Sequence, residues 1–297
     1  MKKHMHFFRA GVTAICLVAA GCSSIRTTER ATGFAGADAR FNSYILKAVE
    51  LLATERAGLG YGNHALTQDL KFGDQGILPA SKHKPLTMCV AAQLEVLVEG
   101  LNLYAAETKD FAPFRFLPKK SWESLGPADL RGQIWLVDGA NANGAADALK
   151  NLGMGGETTF ESMVPGDFIN FNRTNGKGHG AIFIAYLDRD GNELAQYSDL
   201  VEGFRYFSSQ GKEVGGGLGY RYAFFHPTCP SALPAGGKRD CGVIRSAHQR
   251  QLNTGFAIMP SSWNAKRARA FVAAAAGQPA VEGTFDAEYF TGETTDD

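Results

Sequence analysis

The sequence predicts an α+β fold in which a central helix packs on an antiparallel β-sheet. Residues 87–104 form an apolar helical stretch headed by Thr87, which can cap it. The second half of the chain breaks into short apolar runs separated by turn residues. The 35 glycines are spread through loops and strands, which suits a loop-rich α+β domain better than a helical bundle.

In chain order, Lys2, Lys3 and Arg9 supply a positive start, residues 10–20 a short apolar run, and Ala19-Ala20-Gly21 the small residues that precede cleavage of a secretory leader. The run is too short to span a bilayer as a stable helix. Val18-Ala19-Ala20-Gly21-Cys22 resembles the lipobox of bacterial lipoproteins, which implies removal of residues 1–21 and acylation of Cys22. Ala19 stands where Leu is the commoner choice, so plain secretion is the alternative. Acyl chains on Cys22 would anchor the protein, each buried methylene contributing about 0.8 kcal/mol. The expected location is the cell envelope, facing the periplasm. The outer membrane is the default, because Ser23 gives no retention signal. No later segment is expected to cross a membrane.

Residues 22–37, rich in Ser, Thr, Gly and Ala, read as a tether, and residues 38–281 as one domain. Losing the leader removes three positive charges and no negative ones, leaving the neutral precursor at net −3. A slightly acidic chain argues against a nucleic-acid partner, which favours a clustered basic surface.

Phe41, Tyr44, Ile45, Ala48, Val49 and Leu52 recur at helical spacing and predict an amphipathic first helix. Residues 58–86 lack periodicity and read as a long irregular loop. The helix that follows Thr87 is apolar on nearly all sides and therefore central. Residues 133–137 read as a short strand and 143–152 as an Ala/Gly-rich helix. Strands are expected at 168–172, 180–187, 193–197 and 219–225, with Asp190-Gly191 turning between the second and third. A last helix is expected over 265–276, and the acidic segment 282–297 as a disordered tail.

Cysteine arithmetic isolates one thiol. Of the five cysteines, Cys16 leaves with the leader, Cys22 is the lipid site, and Cys229 and Cys241 flank a Pro/Gly-rich loop and are expected to bond to each other. Cys89 is left unpaired at the first turn of the central helix. An unpaired thiol in an oxidising compartment is a liability unless it is buried or does chemistry. The first turn of a helix offers free N–H groups that lower a thiol's pKa, and a neighbouring imidazole can hold the proton and return it to a leaving amine. The Cys89 N–H would also help to bind an oxyanion. The plain alternative is a small core residue.

His179 is the candidate base. It lies in Val164-Pro165-Gly166-Asp167-Phe168-Ile169-Asn170-Phe171, a polar loop, then Gly178-His179-Gly180-Ala181-Ile182. This order resembles the second half of CHAP and NlpC-type hydrolases, papain-like cysteine peptidases and amidases that cut peptidoglycan peptides. The resemblance covers residues 86–225. It implies a papain-like fold, Cys89 as nucleophile, His179 as base, and a polar residue on the following strand that orients the imidazole. Asp199 is the favoured candidate for that third role, with Ser198 and Gln196 as alternatives. The Cys lacks the aromatic or Gly neighbours usual in the family, and the interval to His179 is longer than in its compact members.

The implied function is hydrolysis of an amide in peptidoglycan peptides, with peptidoglycan as the partner and no cofactor. His64, His83, His226 and His248 show no metal-ligand spacing. Rival readings are a transglutaminase-like acyltransferase and an inactive lipoprotein that binds the cell wall.

Overall fold

The computed structural model describes residues 40–62, 66–80, 86–211, 216–230 and 239–277. The leader, Cys22, the tether and the acidic tail lie outside them.

Helix α1 spans Asn42–Glu55 and buries Tyr44, Ile45, Ala48, Val49 and Leu52, the stripe expected from the spacing. The following irregular region carries two two-residue strands, β1 (Leu70–Lys71) and β2 (Ile77–Leu78), which pair antiparallel. Helix α2, Cys89–Thr108, is the central element. Its residues from Cys89 to Val98 are all buried, as are Gly100, Leu101, Tyr104 and Ala105. By length and composition α2 could cross a membrane, contrary to the expectation for later segments, but its apolar sides are used up inside the fold. Thr87 is not its cap: Met88 occupies that position without a side-chain bond, and the Thr87 hydroxyl donates to Glu95 Oε1 instead.

Short helices follow: α3 (Lys120–Glu123), α4 (Leu130–Trp135) and α5 (Ala145–Asn151). The strand expected at 133–137 is therefore mostly α4. Its apolar run Ile134-Trp135-Leu136-Val137 is buried, and a short buried run carries no period that separates helix from strand.

The sheet contains β3 (Gly155–Glu157), β4 (Phe168–Asn172), β5 (Gly178–Leu187), β6 (Glu193–Leu194), β7 (Gly203–Gln210), β8 (Gly217–Phe224), β9 (Arg239–Asp240) and β10 (Leu252–Ala257), and α6 (Ala265–Ala275) closes the described chain. Its order is β3-β10-β4-β5-β7-β8-β9, with β6 pairing β5 off that path. Every pairing is antiparallel except β8 with β9. The predicted α+β class, a Cys-bearing helix on an antiparallel sheet, is the observed one. Strands β7 and β10 were not expected, and the strand expected at 193–197 shrinks to β6.

Two apolar cores divide the sheet's faces. Phe168, Ile182 and Phe207 face the helices with α1 and α2. Ile169, Phe171, Ala181, Phe183, Phe204 and Tyr206 face the other way. This alternation is the two-residue period of a strand buried on both sides.

Candidate functional site

Cys89 is the first residue of α2 and is 1 % exposed. Burial pushes its thiol up to about 11, because a thiolate there has no water to solvate it. The backbone of Gly180, Val90 and Cys89 itself acts in the opposite direction, as does the charge of Arg173. Desolvation outweighs them, so the resting side chain is a neutral thiol.

The position of His179 follows from the register. It opens β5 opposite Phe171 of β4. A Cβ built on the next residue, Gly180, would meet Gln93 Oε1 of α2 at 2.7 Å. Gly180 therefore faces α2, and His179, one residue earlier, faces away from it. The imidazole packs edge-on against Phe171 (centroids 5.4 Å apart) and Tyr206 (5.5 Å). It is fully buried, and neither ring nitrogen has a hydrogen-bond partner. Burial, with Arg173 and Arg221 nearby, holds its pKa well below the ordinary histidine value, so the ring is neutral. Cys89 and His179 thus meet at the same end of the sheet but on opposite faces. Gly180, the neighbour of His179 on β5, faces α2 at Gln93, one turn past Cys89.

Asp199 is not brought to this end. Strand β6 pairs Leu194 with Tyr186 and Glu193 with Leu187, and the Glu202 N–H donates to Leu187 O at 2.9 Å. Leu187 is eight residues along β5 from His179, about 26 Å at strand rise. The three residue steps from Asp199 to Glu202 span at most about 10 Å. Asp199 sits exposed in the turn before Val201, so the orienting role does not fall to it, and Gln196 and Ser198 belong to the same remote stretch. The physical reason is the topology: the long strand beside β5 is β7, and the expected strand ends after Leu194.

What surrounds His179 instead is a buried polar cluster that sequence reasoning missed. Arg173, just past β4, forms an ion pair with Asp240 of β9, their side chains 3 % and 1 % exposed. The Tyr206 hydroxyl lies against both Asp240 Oδ2 and Gln210 Oε1, and Gln210 Nε2 donates to Asp240 Oδ1 at 2.9 Å. Arg221 Nη2 donates to the carbonyls of Gln210 and Gly217, each at 2.9 Å. Residues 203–210 carry the aromatic β-formers Phe204, Tyr206 and Phe207 close together, a strand signal that could have revealed β7. The Arg173–Asp240 pair had no local signal, since 67 residues separate its members.

On the α2 face, Gln93 Nε2 donates to Ala181 O (3.0 Å), Asn170 Oδ1 (3.1 Å) and Ile169 O (3.3 Å), tying the helix to β4 and β5 one turn past Cys89. The buried Glu95 carboxylate accepts from the Thr67 N–H at 2.6 Å and from its hydroxyl, and burial raises its pKa. Cys229 and Cys241 form the expected disulfide, immediately after Asp240. Among the described residues no group of three or more His, Cys, Asp or Glu side chains could hold a metal ion.

Comparison with protein-family models, with curated proteins and with solved structures finds no match to this chain.

Proposed function

We propose that this chain is a cell-envelope cysteine hydrolase that cuts an amide bond in peptidoglycan peptides, and that the conformation described is its closed, resting state. The observation that carries this reading is the place of Cys89 as the first residue of the central helix, which packs on β5 at Gly180, the residue next to His179. The free N–H groups of a helix start stabilise a thiolate and then a tetrahedral oxyanion once the sulfur is uncovered. In the open state the His179 imidazole takes the thiol proton, the thiolate attacks the amide carbonyl, and the imidazolium returns the proton to the leaving amine. Water then resolves the thioester. Two movements are required: the segments over α2 lift, and the imidazole comes round the start of β5.

A second reading has its own support. The thiol is 1 % exposed and the imidazole lies on the other face, which favours a protein that does not cleave, and cell-wall binding is the role proposed for it on this reading. The lipid anchor at Cys22 and the peptidoglycan partner belong to both readings as proposals.

Mass spectrometry of peptidoglycan fragments incubated with the soluble domain, beside Cys89→Ala and His179→Ala, separates the two. New fragments made by the unmutated domain and by neither variant support hydrolysis, and their masses identify the bond. Co-sedimentation with intact wall, with no cleavage by a folded domain, overturns hydrolysis in favour of binding.

A further inference from the structure

We infer that Asp240 is a positioning residue for the Cys89–His179 end of the sheet: it neutralises Arg173 and, with Tyr206 and Gln210, builds the wall on which the imidazole rests. This deepens the hydrolase reading, but its test does not depend on that reading.

Asp240 meets three buried partners, one of which, Tyr206, packs on His179. Its carboxylate pairs with Arg173, accepts from Gln210 Nε2 at 2.9 Å, and receives the hydroxyl of Tyr206, whose ring packs on the imidazole. Arg173 bears on both functional side chains, since its charge acts on the Cys89 thiol and on His179. The segment that carries Asp240 is fixed immediately after it. The Cys229–Cys241 disulfide follows it, the Gly242 N–H donates to His226 O at 2.8 Å, and the Thr174 N–H donates to Gly242 O at 2.8 Å. That last bond joins the residue after Arg173 to the segment of Asp240, so the two charges are delivered to each other by the backbone.

The charged and titratable groups facing this end are Arg173 after β4, Tyr206 on β7, Arg221 on β8, Asp240 on β9 and, on α2, Glu95 two turns from Cys89. Among the described residues, Asp240 is the carboxylate that pairs with Arg173. Arg221 makes its hydrogen bonds to backbone carbonyls. Removing the Asp240 charge therefore leaves two buried cations against a neutral imidazole and a neutral thiol. Their field favours the thiolate and disfavours the imidazolium. An uncompensated buried charge of this kind is costly, which gives the position its constraint.

The test follows the ionisation of Cys89 by its ¹³Cβ chemical shift, and His179 by its ring ¹⁵N shifts, in the oxidised soluble domain without substrate. Asp240→Asn is expected to lower the Cys89 midpoint by about one pH unit, a tenfold gain in thiolate at a given pH. Arg173→Gln is expected to raise it, and the double variant to return within about 0.3 unit of the parent. A structural disturbance does not move the two single variants in opposite directions or cancel in the pair. If Asp240→Asn does not fold, the upward shift in Arg173→Gln and the parental midpoint of the neutral Asn–Gln pair support the assignment. An unchanged midpoint in a folded Asp240→Asn, a downward shift in Arg173→Gln, or a double variant that stays displaced overturns it. Cleavage of peptidoglycan plays no part in these readings, so a failure of hydrolysis leaves them interpretable.

Discussion

The closed state makes a quantitative demand on Cys89. With the thiol pushed up to about 11 by burial, roughly one molecule in 10⁴ carries a thiolate at pH 7. An unfolded chain with an ordinary thiol near pKa 8.5 carries about 3 in 100. Alkylation needs the thiolate, so the native domain should react with iodoacetamide about 300-fold more slowly than the same chain in denaturant, before steric protection is counted. The same shift has a stability consequence. A thiol whose folded pKa is raised above its unfolded value stabilises the fold below the unfolded value and loses that contribution as pH rises through the folded one. The rise of about 2.5 units corresponds to about 3 kcal/mol, lost between about pH 8.5 and pH 11. Urea titrations of the parent and of Cys89→Ser across that window isolate the effect, because the serine does not ionise there while the tyrosines titrate in both proteins. Two results would sink the closed-state description: native alkylation as fast as in the unfolded chain, or an alkaline loss of stability identical in the two proteins. Acceleration of alkylation by added peptidoglycan fragments is the expected sign of opening.

Further expectations rest on other parts of the molecule. Asp199→Ala should leave wall cleavage, the Cys89 midpoint and stability within about 0.5 kcal/mol of the parent, as for a surface substitution. A large loss of cleavage in a folded Asp199→Ala would show that the turn before Val201 does reach the site. Gly132→Ala replaces a poor helix former by the best, a gain of about 1 kcal/mol at an exposed position. Here the new Cβ would lie 2.1 Å from the Gly126 carbonyl oxygen, backbone that cannot swing aside. Net destabilisation by at least about 2 kcal/mol is therefore expected in urea unfolding, and a stabilised variant refutes the packing. Asp167 is fully buried, accepts from Arg40 at 2.6 Å, Asn42 at 2.7 Å and the Val164 N–H at 3.0 Å, and joins the start of α1 to the turn before β4. Asp167→Ala should cost about 3 kcal/mol by orphaning those donors; a loss under about 1 kcal/mol would mean that they find other partners.

Much of this fold was legible because its signals are local. The stripe of α1 and the apolar length of α2 follow from side-chain period. So do β4, β5 and β8, the position of Cys89 at a helix start and that of His179 at a strand start. The disulfide followed from counting cysteines. What failed was also local in cause. Buried on all sides, the run around Ile134 has no period to distinguish helix from strand, and Thr87 found a better partner in Glu95 than the helix end it precedes.

The sequence by itself determined that a lone thiol heads a central helix and that a histidine opens a strand of the sheet beneath it. Which face that histidine takes is a matter of register, and one residue of register exchanges the faces of a strand. Gly180, with no side chain to obstruct Gln93, is what seats α2 on β5 and turns His179 to the opposite core. The partners of the imidazole are likewise a tertiary result. Asp240 reaches Arg173 across 67 residues because β7, β8 and β9 stack outward from β5 and the return through Gly242 brings the chain back beside β4. Asp199, though only 20 residues from His179, is carried to the far end of a ten-residue strand. Proximity along the chain said little about proximity in space, because an extended strand spends about 3.3 Å on every residue and a sheet folds back only at its turns.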